Sequence, residues 1–226
     1  MSDALLYHRE KMKIMTDYHS KNEENYKEII GTETHLDVKK YIKTYYSDNI
    51  TIEGRSLDED TSGYIELLKN GKYKIVYNSN HHPNRSKFTI AHEFGHYILH
   101  QDILGDGTSD NKLYRTTDQL IHYNYKMSSL REFEANVFAA RLLLPRFLIE
   151  KVMRDLMSDN KSCITQISHI VSYLAIDSTR MSGEVLDEDT LNIISKKAQV
   201  SPWLMKLRLR HDDLDDIRDK KLIIDS

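Results

Sequence analysis

Residues 88–100, FTIAHEFGHYILH, form the stretch that most restricts how this chain can fold. His92 and His96 lie four residues apart, so on a helix they share one face, with Cβ atoms about 5–6 Å from each other. Two imidazoles at that spacing can bind one zinc ion, for which Zn–N bonds are about 2.0–2.1 Å. Glu93 is rotated by about 100° from His92, which predicts a carboxylate beside the ion, where it can take a proton from water.

Two such histidines could also be hydrogen-bonded side chains in the core of an ordinary helical protein. A third protein ligand is needed to support a metal site, because catalytic zinc sites have three protein ligands. His100 lies two turns beyond His92, about 12 Å along the helix axis. That distance is too long for both rings to reach one ion, so we predict that His100 has a structural role or lies at the rim of the site.

The third ligand is predicted in a downstream helix, within residues 131–145, REFEANVFAARLLLP. At about 100° per residue, Glu132 shares its face with a stripe of mostly small side chains, Ala135, Asn136, Ala139 and Leu143. Small residues let two helix axes approach closely, and Gly95 on the first helix would serve the same end. We therefore predict that Glu132 joins His92 and His96 around one metal ion. The alternative is a solvated helix glutamate.

Two further polar residues of this helix have predicted positions. Asn136, one turn after Glu132, can accept a hydrogen bond from the Nδ1–H of a ligand histidine and so orient that ring. Glu134 lies about 200° from Glu132 on the helical wheel. It is therefore predicted to face solvent or a salt-bridge partner.

Charge and cysteine content restrict the class of protein and its compartment. Lys and Arg number 32 against 35 Asp and Glu, a net charge of −3, which disfavours direct nucleic-acid binding because that usually needs a basic surface. Cys163 is the single cysteine, so no internal disulfide can form and a reducing compartment is expected. The sequence has no apolar run near 18 residues and no secretory signal at its start. We predict a cytoplasmic protein with no membrane partner.

The fold predicted from these patterns is α+β, mostly helical with a small antiparallel sheet of about three strands beside a two-helix zinc core. Residues 1–48 form an N-terminal helical segment with a break at 31–34. Three strand-like runs follow, ITIEG, SGYIELL and KYKIVYN, and the Asn70-Gly71 corner between the last two is a strong hairpin signal.

The core that contains this sheet and both metal-site helices is predicted to span residues 49–150. Asn84 or Ser86 is the expected N-cap of the first helix, and Pro145 is expected to end the second. Residues 151–226 form a helical C-terminal region, in which LNIISKKAQVSPWLMKLRLR, residues 191–210, has helix–turn–helix spacing.

The blocks FTIAHEFGHYILH and EFEANVFAARLLLP, in this order, resemble the ImmA/IrrE family of metallopeptidases. The resemblance covers about residues 70–145. Zinc peptidases of the wider gluzincin type use E-x-x-x-D for the third ligand and the residue that orients a ligand histidine. This chain has Glu132-x-x-x-Asn136, and the amide should leave the imidazole less basic than an aspartate would.

The resemblance implies peptide-bond hydrolysis with Glu93 as general base and zinc as the metal, with manganese as the alternative in the cell. It also implies a narrow substrate, a helix-turn-helix transcriptional repressor whose cleavage releases genes of mobile elements or stress responses. Candidate donors to the oxyanion of the reaction are Tyr97, His122, Tyr123 and Tyr125. An extended substrate could add to the sheet along SGYIELL or KYKIVYN.

Two other functions are compatible with the sequence. Residues 191–210 could form a DNA-binding module, although the acidic HDDLDD that follows Arg210 would lie where phosphates should be. Two packed core helices are the simpler interpretation of the same segment. The chain could also bind a repressor without cutting it.

Overall fold

The computed structural model of the chain describes residues 3–104, 112–116, 127–159 and 188–210. Two compact units are formed, one by Met1–Gly31 with Leu36–Leu143 and the other by Thr32–His35 with Leu144–Ser226. Helices make up most of the elements, and one small sheet lies in the first unit. The predicted α+β class is therefore confirmed.

Three helices precede the sheet, α1 at Asp3–Lys21, α2 at Glu23–Ile30 and α3 at Val38–Tyr46. The predicted break after α2 is present, and Asp37 caps α3 by accepting a hydrogen bond from the Lys40 backbone N–H at 3.0 Å. Tyrosines join the helices: the Tyr18 hydroxyl lies 2.8 Å from the hydroxyls of both Tyr41 and Tyr46.

Four strands form the described sheet, β1 at Ile50–Arg55, β2 at Thr61–Leu67, β3 at Tyr73–Asn78 and β4 at Lys112–Thr116. Their order is β1-β3-β2-β4. The predicted hairpin joins β2 to β3, which pair antiparallel, as do β2 and β4. The predicted small sheet of about three strands is present, with β4 as a fourth strand. The prediction that all strands are antiparallel is wrong, because β1 pairs with β3 in parallel.

The strand order has a physical reason and a consequence for substrate binding. With β4 on one edge of β2, the remaining free edge of the β2–β3 hairpin is that of β3, and β1 occupies it. Both SGYIELL and KYKIVYN therefore lie inside the sheet, and neither offers its backbone for strand addition. In the described part of the sheet, the free edges belong to β1 and β4.

Helix α4, Pro83–Leu99, carries HEFGH and lies between the sheet and a later helix. Its N-cap is His82, whose Nδ1 accepts a hydrogen bond from the Asn84 N–H at 3.2 Å. The predicted caps Asn84 and Ser86 are wrong because Pro83 already occupies the first turn, where its fixed φ favours helix initiation. Ser86 instead donates its hydroxyl to the Asn78 carbonyl oxygen at 3.2 Å.

The short helix α5, Gln101–Leu104, follows α4, and α6 spans Met127–Leu143. As predicted, α6 ends just before Pro145. Two glycines set the distances of α4 to its neighbours. A Cβ at Gly63 of β2 would lie 2.6 Å from the Thr89 Cγ2, and a Cβ at Gly95 would lie 3.0 Å from the Phe138 Cδ1 of α6. Sheet and helix can approach α4 this closely because these side chains are absent.

The second unit contains α7 at Arg146–Asp159, α8 at Glu188–Lys197 and α9 at Pro202–Arg210. Four residues separate α8 from α9, so the predicted helix–turn–helix spacing is present. Leu204 and Leu207 are buried, and the buried Arg208 donates its Nε–H to the Leu144 carbonyl oxygen at 2.9 Å. Its burial and this contact within the unit disfavour a role in binding phosphate.

Across the residues that the structure describes, every helix is too short or too polar to cross a lipid bilayer.

Candidate metal centre

Three donor groups from α4 and α6 meet at one point. The Nε2 atoms of His92 and His96 lie 3.0 Å apart. Glu132 reaches both rings, with one carboxylate oxygen 3.1 Å from His92 Nε2 and the other 3.2 Å from His96 Nε2. One group of at least three His, Cys, Asp or Glu side chains is close enough to bind a single metal ion among the described residues, and it consists of His92, His96 and Glu132.

The packing of α6 against α4 produces this meeting point. Ala135 and Ala139 are fully buried, and the Ala135 carbonyl oxygen lies 3.3 Å from where a Cβ at Gly95 would be. The small-residue stripe predicted from the sequence is thus the surface through which the two helices approach. Glu132 lies one helical turn before Asn136 on this face, so its carboxylate points toward the two imidazoles.

The tautomer of His92 follows from its contact with Asn136. His92 Nδ1 lies 2.9 Å from the Asn136 side-chain oxygen, which can only accept, so Nδ1 must carry the proton. In a neutral ring, Nε2 then has a free lone pair, and that lone pair faces the centre. The structure places Asn136 as predicted.

The tautomer of His96 follows from a longer set of contacts. His100 Nε2 lies 2.8 Å from a Glu134 carboxylate oxygen and donates to it, which leaves His100 Nδ1 as an acceptor. His96 Nδ1 lies 3.0 Å from that atom and must donate its proton there. His96 Nε2 is therefore also a bare lone pair at the centre.

These assignments leave three acceptors facing one another in a region from which water is largely excluded. His92 and His96 are fully buried and Glu132 is 18 % exposed. Acceptors at 3.0–3.2 Å repel unless a cation lies among them. Ligands of a tetrahedral zinc ion lie about 3.3–3.4 Å apart, given bonds of about 2.0–2.1 Å. The residues present therefore fit a divalent metal.

The charge of Glu132 favours a cation as well. Burial alone would raise the pKa of this carboxyl, and positive charge on the neighbouring His96 and His92 would hold it well below its usual range. A bound metal can supply that positive charge while both rings stay neutral, and it would neutralise the negative charge of an ionised Glu132.

Glu93 is buried beside His92 on α4 and is not a member of the three-residue group. Tyr97, one of the candidate oxyanion donors, lies with its ring against Tyr73, centroid to centroid 5.0 Å, and is stacked on Phe94. These contacts place Tyr97 toward the sheet. The other candidates, His122, Tyr123 and Tyr125, lie outside the described residues, so the oxyanion donor stays a prediction.

Glu134 is predicted to face solvent or a salt-bridge partner, and the second alternative is confirmed. Its side chain is fully buried between two histidines rather than facing solvent. One oxygen accepts from His100, and the other lies 2.6 Å from Nδ1 of His8 on α1. Burial alone would raise the pKa of Glu134, yet the hydrogen bonds from His100 and His8 lower it below the ordinary value.

His8 was not recognised from the sequence, although a signal was present. Together with Lys11, Met12 and Met15 it recurs at helical spacing, and all four side chains are buried. The pattern marks the inner face of α1. A histidine and a lysine on such a face require buried acceptors, and Glu134 is the acceptor for His8.

Comparison with known proteins agrees with this geometry. A sequence model of the family described as Peptidase_M78, IrrE N-terminal-like domain, matches residues 47–175, more than half of the chain. A search of curated proteins finds no match. The matched span contains α4 and α6 with the whole three-residue group, whereas His8 lies before it.

Proposed function

Because this chain belongs to the Peptidase_M78 family of metallopeptidases, with an IrrE N-terminal-like domain, we propose that it is a zinc-dependent endopeptidase. His92, His96 and Glu132 would hold the metal, with manganese as the alternative ion in the cell. The observation that carries the proposal is the convergence of two bare Nε2 atoms and one carboxylate at 3.0–3.2 Å.

The chain's own residues have distinct parts in the proposed hydrolysis. When bound, the metal supplies Lewis-acid chemistry, polarising the scissile carbonyl and making water more acidic. Glu93 takes the proton of the attacking water and delivers it to the leaving amine. Asn136 holds the His92 ring in the orientation that presents Nε2.

The substrate we propose is a helix-turn-helix transcriptional repressor in the cytoplasm, cleaved at one specific site so that mobile-element or stress-response genes are released. The support is the family, together with a net charge of −3 that disfavours direct DNA binding. The engagement of Arg208 with the Leu144 carbonyl makes the DNA-binding alternative weaker still. If the substrate adds a strand to the sheet, β1 or β4 would receive it.

The test is incubation of the purified chain, with zinc or manganese, with a helix-turn-helix repressor encoded near it. We expect cleavage at one peptide bond, identified by mass spectrometry, and no cleavage after metal removal with a chelator. Failure to cut any repressor from the same genetic neighbourhood, with one metal bound per chain, would contradict the repressor proposal. It would leave the metal site itself untouched.

Asn136 offers a separate prediction on metal affinity. In Asn136→Asp the carboxylate is a stronger acceptor for the His92 Nδ1–H, so the ring becomes more basic and zinc binding should tighten by up to about tenfold. In Asn136→Leu the acceptor is lost, and zinc binding should weaken by about 10–100-fold. The zinc dissociation constant is measured by competition with a chromophoric chelator. An affinity that is the same in both variants would show that the His92–Asn136 contact does not act on the metal.

A further inference from the structure

A buried chain of hydrogen bonds links the N-terminal helix to the candidate metal centre. It runs from His8 on α1 through Glu134 on α6 and His100 after α4 to His96, with contacts of 2.6, 2.8 and 3.0 Å. All four residues are at most 4 % exposed. Water therefore cannot replace any of these partners without a change in packing.

Glu134 determines the direction of each hydrogen bond between His8 and His96. A carboxylate has only acceptor atoms, so both His8 and His100 must donate to it. The opposite tautomer of His100 would place a bare Nε2 against a carboxylate oxygen at 2.8 Å, two buried acceptors in contact. That arrangement is unfavourable, and His100 is thereby held with Nδ1 as an acceptor.

The consequence reaches the metal-binding atom. If His100 instead carried its proton on Nδ1, it would donate to His96 Nδ1, and the His96 proton would move to Nε2. A proton on Nε2 occupies the lone pair that a metal needs. Selection of the His100 tautomer by Glu134 is therefore also selection of the metal-binding form of His96.

We infer that Glu134 and His100 are positioning residues for His96, and that His8 of α1 holds Glu134 in place for this purpose. The inference rests on the proposed metal site. It makes α1, which lies outside the residues matched by the family, a part of the centre. His92 and His96 would then be oriented by different partners, one by an amide on α6 and the other by a carboxylate–histidine pair secured from α1.

Asp102 allows the effect of these buried hydrogen bonds to be separated from the general docking of α1. Its carboxylate accepts hydrogen bonds from the Tyr7 hydroxyl at 3.1 Å and the Lys11 ammonium at 3.2 Å. These contacts also attach α1 near the metal centre, but they do not involve Glu134 or the histidines. Asp102→Asn is thus a matched control that weakens the attachment of α1 and leaves the hydrogen bonds from His8 to His96 intact.

The experiment compares Glu134→Leu and Glu134→Gln with the wild type in the full-length protein. Leucine has similar volume and no acceptor, so nothing selects the tautomer of His100. Glutamine can still turn its oxygen toward His100 and its amide toward His8. We expect zinc binding, measured by chelator competition, to weaken about 10–100-fold in Glu134→Leu. Glu134→Gln should remain closer to the wild type, and so should Asp102→Asn.

A second readout needs no metal. In the zinc-free protein, two-bond ¹H–¹⁵N correlations of the imidazole rings report which nitrogen carries the proton. We expect His96 to be protonated at Nδ1 in the wild type and in Glu134→Gln, and substantially at Nε2 in Glu134→Leu. A change of tautomer in a variant with a wild-type circular dichroism spectrum cannot be attributed to unfolding.

Each outcome bears on one proposal. Zinc affinity unchanged in Glu134→Leu, His96 protonated at Nε2 in the wild type, or an equal loss in Asp102→Asn would overturn the positioning role. A wild-type protein with His96 protonated at Nδ1 that binds no zinc would overturn the proposed metallopeptidase site, while the hydrogen-bond chain would stand.

Discussion

Glu132→Ala is expected to weaken zinc binding by about 100–1,000-fold. Structural zinc sites bind with about 10–16 kcal/mol shared among four ligands, or about 2.5–4 kcal/mol for each. In this chain the loss should reach that range because Glu132 is the charged member of the group, beside two neutral imidazoles, and so supplies its negative charge. Chelator competition gives the dissociation constant, and inductively coupled plasma mass spectrometry gives the number of ions per chain.

A charge-matched control distinguishes ligand loss from a general electrostatic effect. Glu53 lies on β1, half-exposed and paired with Arg55, so Glu53→Ala removes the same charge away from the centre. It should bind zinc as the wild type does. If Glu132→Ala kept the wild-type affinity while His92→Ala lost it, the third ligand would be another group and the assignment of Glu132 would be wrong.

The geometry of the centre was predictable because it depends on local rules. Helical spacing alone places His92 and His96 on one face, and the wheel of the second helix places Glu132 and Asn136 together. The approach of the two helices was also readable, since Gly95 and Ala135 are small at matching positions. The relative positions of side chains on one helix follow from their spacing in a short segment of sequence, so they can be predicted without knowledge of the whole fold.

Glu134 shows the limit of such reasoning. A helical wheel gives the direction of a side chain but not what lies in that direction, and here it is His8 of α1, 126 residues earlier in the chain. The same limit applies to the sheet. Alternation identified three of the strands but not which strands pair, so neither the parallel β1–β3 pair nor the place of β4 beside β2 could be predicted from it. Pairing between distant segments is a property of the whole fold.

Glu93→Gln should slow peptide cleavage by about 10²–10⁴-fold and leave the metal in place. The amide keeps the size of the side chain, and Glu93 is not one of the three metal-site residues, so zinc affinity should stay within the range of the wild type. An amide cannot accept the proton of water at neutral pH, and loss of a general base typically costs about 10²–10⁴-fold in rate. The rate of repressor cleavage is measured with saturating zinc, alongside the zinc dissociation constant.

A conservative variant makes the result specific to proton transfer. Glu93→Asp keeps a carboxylate but withdraws it by one methylene, and a displacement of about 1 Å can cost about 100-fold. We therefore expect cleavage to be slow in Glu93→Asp and slower still in Glu93→Gln. If Glu93→Gln released repressed genes as well as the wild type did, then the protein would act by holding its repressor rather than by cutting it, because binding needs the shape of the site but not a base.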